Sequence, residues 1–278
     1  MNNHQTNLIS VIVPNYNNER FLEDCLESIF RQKNVNIEVV IIDDASTDAS
    51  REIIDRWAGQ HSNIKKVYLQ KNEGIATVRN IGVKNSSGEF ITTLDSDDIF
   101  WNKNKLEREL ECLVNAENED NKIIIAFSNT VLVDENLRFI SNRGTKNTLK
   151  TGDLFKNIFA RDCEIPRDYL IRKQHIIEAG GFDENIPIYE DWDLKIRLSR
   201  HSCFVYTNVQ GTGYRQHATG LSRAPKDEHQ AWIRYIFRKN AALLSREERK
   251  YVESALFHKR TINQSNIRKW INRLLRRK

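Results

Sequence analysis

Apolar and polar positions along the first hundred residues fall into two alternating patterns. Residues 9–13 (ISVIV, closed by Pro14), 37–42 (IEVVII), 64–69 (IKKVYL) and 90–94 (FITTL) are short runs rich in β-branched residues, the pattern of buried strands. Between them, Phe21, Leu22, Cys25, Leu26, Ile29 and Phe30 recur at helical spacing from a start near Asn18. A second helix opens at Ser46 or Thr47 with Ile53, Ile54 and Trp57 inward, and 75–85 reads as a third. This β-α-β-α-β-α-β order with short links predicts a parallel sheet with right-handed crossovers and helices on both faces. Ligands bind such a sheet at the carboxyl ends of its strands. Those ends carry Pro14, Asn15, Tyr16 and Asn17, then Asp43 and Asp44, then Asp95, Ser96, Asp97 and Asp98.

The second half is less regular. A helix is expected near 103–115, then a long apolar run (123–133) and a polar stretch, 134–152, that reads as loop or hairpin. A helix at about 173–179 ends at Gly180-Gly181, and 190–200 reads as another with Trp192, Ile196 and Leu198 partly inward. Residues 203–207 and 212–216 read as two short strands, and from about 226 to the end the pattern is helical. The expected organisation is a body over 1–223 and a helical extension over 224–278.

Composition fits a soluble globular chain: 278 residues, 39% hydrophobic, 29% charged, with five Trp. The formal net charge of +5 conceals an asymmetry. Residues 1–222 hold 27 basic and 33 acidic side chains, a net of −6, whereas 223–278 hold 16 basic and 5 acidic, a net of +11. The four cysteines form no metal-ligand spacing and read as reduced core residues of a cytoplasmic protein. No apolar run reaches the ~20 residues that span a bilayer, and the start MNNHQTNLIS lacks the pattern of a signal peptide.

Three carboxylates within four residues, Asp95, Asp97 and Asp98, repel one another unless a cation joins them; Mg or Mn suits such oxygens. The alternative is a solvated loop capping the next helix. There is no GxGxxG after the first run and no GxxxxGK[ST], which disfavours dinucleotide redox enzymes and P-loop NTPases. A nucleoside diphosphate would then need a metal and scattered basic groups. Arg79 and Arg215 are candidates, each equally readable as a surface ion pair. Glu190, Asp191 and Asp193 open a helix, where a carboxylate serves either as a cap or as a general base. His217 is open between a structural role and a metal ligand.

Six segments in order, ISVIVPNYN (9–17), VVIIDDASTD (39–48), NEGIATVRN (72–80), FITTLDSDD (90–98), IYEDWD (188–193) and YRQHATGLSR (214–223), resemble the family-2 glycosyltransferases. The resemblance covers roughly 8–223. It implies a GT-A type α/β fold, a mostly parallel central sheet with helices on both faces, and transfer of a sugar from a nucleotide-diphospho-sugar with inversion. On the matching positions, Pro14 and Tyr16 would line the nucleobase pocket, Asp44 would bond the base, and Arg79 would lie near the diphosphate. Asp95 and Asp97 match the Asp-x-Asp motif, Asp95 toward ribose and metal and Asp97 as ligand, with His217 a further metal or diphosphate contact. Asp191 matches the catalytic base, with Glu190 and Trp192 beside the acceptor. The implied partners are a donor, expected to be a UDP-sugar, a divalent metal (Mn or Mg), and a glycan or lipid-linked acceptor in bacterial cell-surface polysaccharide synthesis. Two competing readings are a sugar nucleotidyltransferase and a catalytically silent nucleotide-sugar-binding scaffold.

In the tail, Ile267, Trp270, Ile271, Leu274 and Leu275 form one stripe, with Arg268, Lys269, Arg273, Arg276, Arg277 and Lys278 opposite. A basic amphipathic helix of this kind suits an anionic membrane surface, which would place the protein peripherally at the inner membrane face. Packing of the stripe onto the body or a partner is the alternative. Nucleic acid is not the expected partner, because it would leave the stripe without a role.

Overall fold

The computed structural model describes residues 7–143, 150–163, 165–217 and 225–258. The chain order is β1 (Leu8–Asn15), α1 (Glu19–Phe30), β2 (Asn36–Asp43), α2 (Ser50–Gln60), β3 (Ile64–Tyr68), α3 (Ile75–Asn85), β4 (Phe90–Thr93), β5 (Ile99–Phe100), α4 (Lys105–Glu119), β6 (Ile123–Val133) and β7 (Phe139–Arg143). It continues through α5 (Phe155–Phe159), β8 (Leu170–Arg172), α6 (Lys173–Glu178), α7 (Glu190–Ser199), β9 (Cys203–Arg215), α8 (Lys226–Asn240) and α9 (Arg246–Glu253). The strands form one sheet in the order β3-β2-β1-β4-β8-β6-β9-β5, with β7 paired to β6.

The first four strands are parallel, β3 to β2 to β1 to β4. The apolar runs of β1, β2 and β4 are continuous because both faces are covered, whereas the edge strand β3 leaves Lys65 and Lys66 exposed. Ile9, Val11, Val13, Val39 and Ile41 pack with Leu22, Leu26, Ile29 and Trp57 of α1 and α2. Ile12, Val40 and Ile42 pack on the other face with Ala76, Val78 and Val83 of α3. Gly82 of α3 lets the backbone approach the sheet closely: a Cβ there would stand 2.3 Å from Ile12 Cγ2.

The second half is mixed. β8 runs antiparallel to both β4 and β6, β6 is parallel to β9, and β5 is antiparallel to β9. Three elements here escaped the sequence pattern: β5 and β8, of two and three residues, and α5, of five, are each too short to establish a period. The 134–152 stretch does hold a hairpin strand, β7 on β6.

Two boundaries differ from expectation. α2 starts at Ser50, not Ser46 or Thr47, because side chains hold the preceding turn open. The Ser46 N–H donates to Asp43 Oδ1 (3.1 Å), Thr47 N–H to Asn17 Oδ1 (2.8 Å) and Ala49 N–H to Glu19 Oε2 (2.6 Å), with Ala45 at φ +63°. Residues 203–215 form one strand, not two; Asn208 at φ +57° and register shifts against Phe127–Thr130 absorb the polar middle without ending the pairing.

The described part of the extension packs on α7. Ile233, Ile236, Phe237, Val252 and Leu256 share a core cluster with Trp192 and Leu194. Asp193, fully buried, accepts from Lys239 Nζ and Asn240 Nδ2, both at 2.8 Å. The amphipathic pattern at 267–278 lies outside the described residues.

Candidate active site

A cavity of about 380 Å³ opens where the carboxyl end of β4, residues 161–163 and 165–168, and the start of α7 meet. Arg79, Asp95, Asp97, Glu190, Asp191 and Trp192 line it; Pro14, Tyr16, Asp44, Arg215 and His217 do not.

The β4–β5 turn supplies the acids. Ligand oxygens of Asp95, Asp97 and Asp98 lie within 4.8 Å of one another. Each carboxylate has a different neighbourhood. Asp95 accepts from Arg79 (2.7 Å) and pairs with Arg167. Burial opposes its ionisation, but these two guanidiniums outweigh burial and hold its carboxyl below the usual range. Asp98 is buried beside Asp97, and both effects push its carboxyl well up against the opposing charge of Arg167. Asp97 Oδ2 lies 2.9 Å from His217 Nε2. Three converging hard oxygen donors, one kept high in proton affinity by its neighbours, fit a divalent cation of the Mg or Mn class.

Helix α7 supplies the second group. Tyr189 caps it in the left-handed region (φ +71°), an uncommon conformation for a bulky residue, and its hydroxyl lies 2.8 Å from His229 Nδ1. The turn sets Glu190 and Asp191 in the first helical turn at the cavity. Glu190 is buried on Arg79, which thereby bridges it to Asp95. Burial, assisted by Asp191, raises the Glu190 carboxyl despite Arg79. Asp191 behaves oppositely. Burial disfavours its charge, but Lys195, donating to Oδ2 at 2.8 Å, and the charges of Arg167 and Arg79 overcome this and hold it far below the carboxylate range. Lys195 is itself fixed by the Ile165 carbonyl at 2.7 Å. The Trp192 indole N–H donates to the Ile158 carbonyl (2.8 Å), so this ring is an anchored wall.

The remaining candidates lie outside this cavity. Asp44 accepts from the Glu73 N–H (2.7 Å) and the Gly74 N–H (3.1 Å), fixing the entry to α3. Arg215, its side chain 1% exposed, donates to the Asp97 carbonyl (2.9 Å), the Glu135 carbonyl (3.0 Å) and Asp24 (2.9 Å), and its backbone N–H donates to Asp98. It locks the acid turn to the end of β9. Pro14 is buried in β1, and Tyr16, just beyond, is 48% exposed. Next to the cavity, Lys105, fully buried, bonds Glu109 (2.7 Å) and the Asp168 carbonyl (2.7 Å). Burial pushes the Glu109 carboxyl up to about 7, against Lys105.

Sequence reasoning missed Arg167 and Lys195. Lys195 carried a readable signal, four residues after Asp191 on one helix face. Arg167 carried none, because 161–168 has no regular period.

The glycosyl transferase family 2 model matches residues 10–169. A putative teichuronic acid biosynthesis glycosyltransferase, TuaG of Bacillus subtilis, is 39% identical over 107 residues, which cover 38% of this chain. The chain spans 42% of that relative's length, and 26% and 30% of two further curated relatives. Among solved structures, S. aureus TarS 1–349 in complex with UDP-GlcNAc superposes with a TM-score of 0.69 at 21% identity, covering 89% of this chain and 70% of that one. The mannosyltransferase PcManGT from Pyrobaculum calidifontis, in complex with GDP-Man and Mn2+, gives 0.61 at 17% identity, covering 90% and 69%. These likenesses show the GT-A fold. With more than half of its length matched by the family model, the chain belongs to glycosyl transferase family 2.

Proposed function

We propose that the chain transfers a sugar, with inversion, from a nucleotide-diphospho-sugar to a hydroxyl of a glycan or lipid-linked acceptor, in the assembly of a cell-surface polysaccharide. The observation that carries this reading is the presence in one cavity of the Asp191 carboxylate, paired with Lys195, and a separate carboxylate cluster, Asp95–Asp97–Asp98. An inverting displacement needs a base for the incoming hydroxyl and a stabiliser for the departing diphosphate. In the step, the acceptor oxygen bonds the anomeric carbon, the bond from that carbon to the diphosphate oxygen breaks, and the acceptor proton passes to Asp191. Asp95 and Asp97 would hold a divalent metal, which when bound supplies positive charge against the leaving diphosphate. Arg79, buried between Asp95 and Glu190, keeps those two acids in place. The donor reading draws support from the UDP-GlcNAc of TarS and the GDP-Man and Mn2+ of PcManGT, and the polysaccharide reading from TuaG.

Arg215 and His217 contact Asp97 and Asp98, so their part in this reading is to orient those two acids. Among the described residues no helix is long and apolar enough to cross a membrane. The basic stripe of 267–278 is assigned to an anionic membrane face on its sequence pattern, with 224–278 as the extension that carries it.

The direct test is a panel of UDP-, GDP- and dTDP-sugars scored by thermal shift with and without Mn, followed by product analysis. A bound donor stabilises only the folded state. Stabilisation by one nucleotide class that depends on Mn is expected; no response to any donor would overturn the reading.

A further inference from the structure

We propose that the cleft takes an acidic glycan as its acceptor, with Arg161 the residue that engages its anionic group. The inference rests on the transfer reading and deepens it. Six carboxylates line the cavity, and each already has a basic partner: Asp95 with Arg79 and Arg167, Asp97 with His217, Asp98 with Arg167, Asp168 with Lys105, Glu190 with Arg79 and Asp191 with Lys195. Arg161 lines the same cavity and has no carboxylate partner among the described residues.

Its guanidinium is nonetheless held. It lies 4.3 Å from the centroid of Tyr189 and 5.2 Å from that of Trp192, the two residues that flank Glu190 and Asp191. Its backbone sits in the left-handed region (φ +55°), just after α5. Contact with two rings set at 80° to one another holds the guanidinium in place, and its planar fork suits bidentate recognition of carboxylate or phosphate. The ring faces that Arg161 covers are closed to the stacking by which aromatic walls hold neutral sugars. A second guanidinium, Arg143 of β7, lines the cavity from another element and lies 4.7 Å from the Tyr214 ring. A ring-held guanidinium beside Glu190 and Asp191, in place of bare ring faces, matches a glycan that carries negative charge, as uronate and phosphodiester glycans do, better than a neutral one.

The test is equilibrium titration of the full chain, in UDP and Mn, with tetragalacturonate, a glycerol-phosphate trimer, neutral maltotetraose and farnesyl diphosphate. At least one acidic glycan should bind, weaken with added salt and lose tenfold or more in affinity in Arg161→Gln, with a smaller loss in Arg161→Lys; maltotetraose should bind far more weakly. The proposal is overturned if neither acidic glycan binds, if maltotetraose binds as well as they do, if Arg161→Gln leaves their affinity unchanged, or if farnesyl diphosphate is the one probe whose binding needs Arg161. UDP binding is measured in parallel. Wild-type UDP affinity in Arg161→Gln shows a folded donor site, so failure of the acceptor assignment is read separately from failure of the transfer reading.

Discussion

The two halves of the sheet hold the acids at their strand ends to different degrees by distant cations. In the first half, Asp44 accepts from the Glu73 and Gly74 backbone N–H groups, and Asp43 from the Ser46 N–H, the Asn15 amide and a single cation, Arg51 of the next helix. In the second half, Asp95, Asp98, Glu190 and Asp191 are held by Arg79, Arg167 and Lys195, cations from three separate segments. Backbone donors arrive with the fold and cost no side-chain ordering. Charge pairs between distant segments are set by tertiary packing and depend on every partner being present. The second arrangement makes a centre in which one truncation reaches several acids.

Arg79 tests that contrast most severely, because it leaves the first half on α3 and bonds an acid from each side of the cleft. Arg79→Met should strand Asp95 and Glu190 and destabilise the chain by about 3–5 kcal/mol, the usual cost of removing one partner from a buried pair. Denaturant unfolding measures it, and a loss within experimental error would mean that the centre does not depend on this bridge. Next in size, Asp97→Ala should leave the melting temperature of the free protein nearly unchanged and weaken Mn-dependent donor binding by at least about tenfold. Donor affinity that no longer differs with and without Mn is the expected signature.

A subtler change is expected in Lys195→Met. Lys195 helps hold the Asp191 carboxyl far below the carboxylate range, so wild-type activity should persist as pH falls until that low value is reached. Without the ammonium, burial acts with less opposition and the Asp191 carboxyl rises. The acid limb of the kcat/KM profile should then move up by about one pH unit or more. The same sign applies to stability: a depressed carboxyl stabilises the fold above its unfolded pKa, and this contribution is lost as pH falls through the folded value. An unmoved acid limb would separate Lys195 from the base.

The first half was also the legible half. β1 to β4 and α1 to α3 followed from apolar runs and helical spacing, because β1, β2 and β4 are buried on both faces and each helix is long enough to show its period. The acids at their carboxyl ends could be named from position in the sheet alone. Legibility failed where placement depends on tertiary contact. β8 is three residues wedged between β4 and β6, and Arg167, just before it, reaches Asp95 and Asp98 from a segment with no pattern. Arg215 shows the converse: a basic residue in the right motif whose guanidinium is buried on Asp24 and two carbonyls rather than facing the cleft. Residue type indicates what a side chain is able to do; only the packing around it shows which of its groups are already taken.

In the proposed transfer, Asp191 is the proton acceptor in a cavity whose donor site is built by other residues. The most direct measurement compares wild type with Asp191→Asn, following Mn-dependent donor binding by thermal shift and sugar transfer by product analysis on the same preparations. Donor binding should agree within about twofold while transfer falls by about 10²–10⁴-fold, the usual share of a general base. Transfer at the wild-type rate in Asp191→Asn would contradict the account.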